Sequence, residues 1–322
     1  EENLILITNT GKMYFSPKKD IYNENKISLN YIETNLEKII GKKYINESNF
    51  IIKGILILNK KVYISYLNNK NECYSNAIVV GDLNIKKINF LPFLKLDECK
   101  DNFTSAVGGN IQSFKNNKIL LTIGGYESYE TRGKDDPQNI DSYYGKILAI
   151  DLNTKKIDII SMGHRNSQGL FYDFNEDIIF STDHGPQGGD EINVYSNPEI
   201  NKIKNYGWGI SSYGEHYGYN EGHSEKIKND ISLLDELYKI APLNKSHKKF
   251  NFEEPIKYFI PSIAITQILR VDNLENDDYK ILVGSLGFDK TEGVMTVHIL
   301  HFNSVFKETN HEKIYIGERI RD

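Results

Sequence analysis

The feature that most restricts the fold is a rhythm. Short runs rich in Ile, Val, Leu and Tyr alternate along the chain with Asn, Asp and Gly, at 4–7, 61–67, 77–80, 118–123, 146–150, 177–182, 191–195, 280–286, 294–302 and 313–316. Asn116-Asn117, Asn153-Thr154 and Asn175-Glu176 punctuate them as hairpin turns do, since Asn bonds its own backbone and tolerates left-handed conformations. Strands this short, without helical patterns of about 12 residues between them, predict an all-β sandwich, barrel or propeller and disfavour a parallel α/β sheet. One segment departs: Ile231, Leu234, Leu237, Tyr238 and Ala241 follow a helical period closed by Pro242, which predicts a short helix inside an insertion over 209–255.

Charge narrows the partners. The 322 residues hold 39 Lys+Arg against 44 Asp+Glu, a formal charge of −5, with no basic block able to track a phosphate backbone. Nucleic acid is not an expected partner. Apolar runs such as 51–52 and 55–58 fall far below the roughly 18 residues of a membrane span. The chain starts Glu1-Glu2 rather than with Met, so a removed leader or preceding segment is expected and export stays open. Cys73 and Cys99 are too few for a four-ligand zinc site; they pair in an exported protein or stay as thiols, and the sequence leaves both open.

Several common motifs are missing. Gly108-Gly109 and Gly124-Gly125 start no G-x-G-x-x-G turn into a helix and read as tight turns. The run from His184 to Glu191 lacks the Lys-Ser/Thr ending of a phosphate loop, and there is no G-x-S-x-G elbow or H-E-x-x-H helix.

Three segments carry chemistry: Gly163-His164-Arg165-Asn166-Ser167-Gln168-Gly169-Leu170, then the run from His184-Gly185-Pro186 to Asp190-Glu191-Ile192-Asn193, then Asn205-Tyr206-Gly207-Trp208. In this order they resemble the glucose/sorbosone dehydrogenase family, six-bladed β-propellers that oxidise aldoses with pyrroloquinoline quinone (PQQ) and calcium. The likeness continues through Tyr144-Gly145-Lys146, Pro261-Ser262-Ile263-Ala264, Val283-Gly284-Ser285-Leu286 and Arg319-Ile320-Arg321-Asp322. It implies one propeller domain of four-stranded antiparallel sheets over 1–322, incomplete at both ends relative to the family, in a periplasmic or otherwise exported protein.

The resemblance also implies roles. Gly185 and Pro186 match positions whose backbone carbonyls hold the cofactor's calcium, and such carbonyls are hard oxygen ligands suited to Ca²⁺. Glu191 and Tyr206 match a second, structural calcium site, through side chain and carbonyl respectively. Arg165 and Asn166 match the pair on the reactive quinone oxygens, where a fixed cation stabilises charge arriving with hydride. Arg319 and Arg321 match the arginines on the cofactor's carboxylates, and Asn49 falls near an early cofactor-binding Gln.

The pattern fails at its reacting centre. The family's proton-accepting His position is Ala106, and its orienting Asp position is Gly125. An expected Lys is Gly287, with Lys290 a substitute further along, and an expected stacking aromatic is Ile260. The leading expectation is a calcium- and ligand-binding homologue that does not work by the family mechanism, its partner a small molecule such as a sugar or a protein at the propeller face. The alternative is an active PQQ-dependent aldose dehydrogenase with another base, His164, His184 or His216 being nearest in sequence.

Overall fold

A computed structural model describes residues 3–22, 27–41, 51–70, 72–101, 106–126, 136–186, 188–214, 247–271, 279–287 and 295–321. They fall into two compact units, 1–103 and 104–322.

The first unit contains β1 (Asn3–Ile7), β2 (Met13–Pro17), β3 (Asn30–Thr34), β4 (Ile52–Leu58), β5 (Lys61–Lys70), β6 (Cys73–Asp82), β7 (Lys87–Ile88) and β8 (Leu91–Lys95), with short helices α1 (Lys18–Ile21) and α2 (Leu36–Ile40). Its sheets have the orders β1-β2-β3-β7 and β4-β5-β6-β8. The turn from β4 to β5 is made by Asn59 and Lys60, both at positive φ (51° and 60°), whose twist matches that of a hairpin. Met13, Ile32, Ile64, Val79 and Phe90 share one core cluster. Cys73 and Cys99 form a disulfide with Cα atoms 5.3 Å apart, which resolves the alternative left open above.

The second unit contains β9 (Gly108–Phe114), β10 (Lys118–Ile123), β11 (Lys146–Asp151), β12 (Ile157–Met162), β13 (Ser167–Asp173), β14 (Ile178–Asp183), β15 (Asp190–Ser196), β16 (Lys204–Asn205), β17 (Lys257–Phe259), β18 (Ile265–Val271), β19 (Tyr279–Ser285), β20 (Thr296–Phe302) and β21 (Glu308–Tyr315). They form three sheets, β9-β10-β11-β12-β16, β13-β14-β15-β17 and β18-β19-β20-β21. The first strands β9, β13 and β18 lie side by side, as the inner strands of propeller blades do.

The expected four-stranded antiparallel sheets are present with two corrections. β7 runs parallel to β3, and β16 runs parallel to β12 as a fifth strand. In both places the chain leaves one sheet, adds two residues to the preceding sheet and returns, so these strands stitch neighbours together. Five sheets are present among the described residues, against the six expected. The helix expected over 231–241 lies outside them; of the insertion, the described part includes one 3₁₀ turn, Lys248–Phe250. No described helix is long and apolar enough to cross a membrane.

A repeat absent from the sequence exists in the register. The pairing of first and second strands slips near Ile52/Gly54, Leu121/Ile123, Ser167/Gly169 and Ile265/Ile268. At three of these bulges a hydroxyl from the second strand binds backbone. Ser65 Oγ donates to Gly54 O (3.4 Å). Thr122 Oγ1 accepts from Gly109 N and Asn110 N and donates to Ser167 O of β13. Thr182 Oγ1 accepts from Gly169 N and donates to Thr266 O of β18. In the second unit each threonine therefore satisfies the disrupted ladder and ties one sheet to the next.

Candidate functional site

The three signature segments meet where inner strands begin and second strands end. Asp183, at the end of β14, fixes the corner between β12 and β13. Its carboxylate accepts from Arg165 N (3.1 Å), Asn166 N (2.5 Å) and Ser167 Oγ (3.2 Å), and lies 3.1 Å from His164 Nδ1. The other nitrogen of His164 is 2.8 Å from Ser161 Oγ, and the ring is fully buried against Tyr206. Both nitrogens of His164 are thus engaged inside the fold.

Asp190, at the start of β15, performs the same task for the next loop. It accepts from Gly185 N (3.0 Å), Ser262 Oγ, Ile263 N and Ile265 N. A side chain at Gly185 would place its Cβ 2.2 Å from Gly188 O, so only glycine permits this turn. His184 Nε2 donates to Ile265 O, which commits the second candidate base as well. His216 lies outside the described residues.

Arg165 lines the cleft these loops make, and Asn166 stands next to it outside the lining. Arg165 Nη1 donates to His184 O (3.1 Å) and Gly185 O (2.8 Å), and its guanidinium lies 5.3 Å over the Trp208 ring. Asn166 Oδ1 accepts from Gly108 N and Gln168 Nε2. Ala106 and Gly125 are tied in beside the same corner. Ala106 O accepts from Tyr126 N (2.9 Å), Gly125 N donates to Arg165 O (2.7 Å), and a Cβ at Gly124 would meet Ala106 O at 2.2 Å.

Glu191 and Tyr206 line the cleft with Arg165, Gly185, Trp208 and Ser211; its volume is about 10 Å³, room for one water molecule or one ion. Glu191 lies 3.0 Å from His247 Nε2 and accepts from Asn193 Nδ2 (3.2 Å), while His247 Nδ1 is 2.5 Å from Ser211 Oγ. Burial pushes the Glu191 carboxyl above the usual carboxylate range, and His247 opposes that rise. Tyr206 holds its place through its hydroxyl on Val194 O, and burial raises its pKa well above the usual phenol value.

Other expected residues stand apart from the cleft lining. Arg319 and Arg321 are exposed, flanking Ile320, whose N–H meets Ser285 O and whose carbonyl accepts from Thr266 Oγ1. They reach the correct end of β18 and β19 without lining the cleft. Gly287 N donates to Ile263 O, and Ile260 is 54% exposed. Asn49 and Lys290 lie outside the described residues. Asp183, Asp190, His247 and Ser211 were not anticipated. For the two aspartates a signal existed, since each flanks a signature turn at the end of a strand; for His247 there was none.

Solved structures share this arrangement of small sheets. A glucose dehydrogenase matches with a TM-score of 0.67 at 18% identity over 100% of this chain and 86% of its own. The apo-form of the soluble aldose sugar dehydrogenase of Escherichia coli matches with 0.59 at 20% identity, over 82% of this chain and 71% of its own. The fold is thus that of these proteins. The chain belongs to the glucose/sorbosone dehydrogenase family, whose model matches residues 57–322. It is 26% identical over 235 residues to an uncharacterized Synechocystis protein, covering 67% of this chain and 50% of that protein. It is 27% identical over 232 residues to the aldose sugar dehydrogenase YliI of Escherichia coli, covering 67% and 53%. The chain spans about half the length of the curated relatives it matches.

Proposed function

We propose that this chain keeps the family's fold and a calcium- and ligand-binding face but not its way of removing a proton. The observation that carries the reading is at the cleft rim. Gly125, the orienter position, bonds the Arg165 carbonyl, and Ala106, the base position, bonds Tyr126 beside it, yet neither has a side chain able to accept a proton. A positioned base contributes about 10²–10⁴ in rate.

Calcium fits at Glu191 and Tyr206. A buried carboxylate in an ion-sized cleft is a hard-oxygen donor, and each of its oxygens keeps a lone pair beside the His247 and Asn193 bonds. The ion would supply a fixed charge; Glu191 and the Tyr206 carbonyl would hold it, and His247 and Asn193 would orient the carboxylate. Gly185 and Pro186 form the weaker site, because the Arg165 cation already sits on the Gly185 carbonyl. The quinone fits poorly. Arg165 is turned to carbonyls, an aliphatic Ile260 stands where a stacking ring is needed, and Gly287 brings no cation to a trianion. The ligand is then a sugar or a protein partner at this face. Closure of the ring by a sixth blade and export to an oxidising compartment belong to the same reading, the latter supported by the Cys73–Cys99 disulfide.

Thermal unfolding with and without calcium tests the reading. At a hundredfold excess over Kd the ion should add about 2.7 kcal/mol. The gain should vanish in Glu191→Gln, and an equal calcium shift in that variant rejects the site.

A further inference from the structure

On the far side of β17 from the cleft, two imidazoles face each other. His298 Nδ1 of β20 and His311 Nε2 of β21 are 2.9 Å apart, and His298 has no exposed surface. A bond of this kind needs one nitrogen to donate and the other to accept, so both rings cannot be protonated while it stands. Phe259, the last residue of β17, sets its ring edge-on to both, with centroids 5.5 and 6.2 Å away. Lys257, the first residue of β17, meets Glu308 of β21 at 2.6 Å. The opposite edge of β17 holds the cleft: Phe259 O accepts from Gly189 N (2.7 Å), and the strand pairs Asp190 with Phe259 and Glu191 with Tyr258.

We propose that the His298–His311 pair is an acid-sensitive latch on β17, fastening the segment from Gly189 to Glu191 while one N–H bridges the two rings and releasing it when both rings are charged. The groups that face the pair are Lys257 on β17 and Glu308 and Lys313 on β21, while β19 sets Val283 opposite His298. His301 and Glu312 meet each other on the other face of the sheet. Burial first, then Lys257, holds His311 below the usual histidine range; Glu308 opposes this and Lys313 adds to it. With the folded pKa depressed, the unfolded chain takes the proton first. The latch's contribution is complete above the ordinary histidine pKa of about 6.5 and is lost as pH falls below it.

Hydrogen exchange of the segment 184–193, corrected for intrinsic rate, reads the latch directly. Protection should fall at least tenfold between pH 7.5 and 5 in the native chain and change little in His298→Gln/His311→Gln, whose side chains take up no proton. Unchanged protection in the native chain, or the same fall in the double variant, overturns the proposal. If the double variant does not fold, NMR titration of the native imidazoles decides: the second ring of the pair to take a proton must do so below 6.5 together with the loss of protection, and its titration at or above that value overturns the latch.

Discussion

Asp183 anchors the candidate site, since one buried carboxylate receives two backbone N–H groups, a hydroxyl and an imidazole from the 164–167 corner. In Asp183→Asn an amide must turn N–H groups toward some of those donors, leaving buried donors unmatched. The expected loss is about 2–4 kcal/mol in denaturant unfolding, with a larger fraction lost than for a surface Asp such as Asp82, which is 87% exposed. At Ala106 the argument concerns chemistry rather than stability. Ala106→His alone restores a base without an orienter, so little activity should return. Where added PQQ still binds, Ala106→His with Gly125→Asp should yield more quinone-dependent aldose oxidation than the two single changes combined, measured by dye reduction; a purely additive result separates these positions from one another.

Elements show how much the sequence disclosed. Middle strands were legible, because β5, β10, β11, β14, β15 and β20 carry plain runs of Ile, Val, Leu and Tyr between Asn-rich turns, while the outer strands β8, β12 and β17 were not. Of the first strands β1 was legible, and β9, β13 and β18 were hidden. β9 begins Gly-Gly-Asn and β13 begins Ser-Gln-Gly, polar and glycine-rich because their bulges need freedom and their faces meet other strands closely. Gly108 and Gly109, at φ 60° and 104°, therefore belong to a strand and not to a separate tight turn. The site was legible where a signature turn names its residues, as at Arg165 and Gly185, and illegible where a partner arrives from far along the chain, as His247 does to Glu191. The threonine ties make the hidden repeat testable. Thr122→Val and Thr182→Val remove one hydroxyl each while keeping shape, and each should cost roughly 1–3 kcal/mol, because buried N–H groups at the bulge lose their acceptor.

For the whole molecule, the two units draw on different devices. In the first unit the Cys73–Cys99 crosslink closes 26 residues, worth about 3 kcal/mol in loop entropy. Cys73→Ser/Cys99→Ser should lower the melting temperature by a margin matching that of the native chain in thiol reductant. In the second unit the proposed loss of the proton-accepting side chain rests on Ala106 and Gly125, with His164 in contact through both ring nitrogens and His184 through one. The most direct test of that claim is aldose-dependent dye reduction by the unaltered protein supplied with PQQ and calcium. Turnover should be indistinguishable from a protein-free control; robust oxidation of glucose or another aldose would overturn the loss of proton removal and require a base other than the residue at position 106.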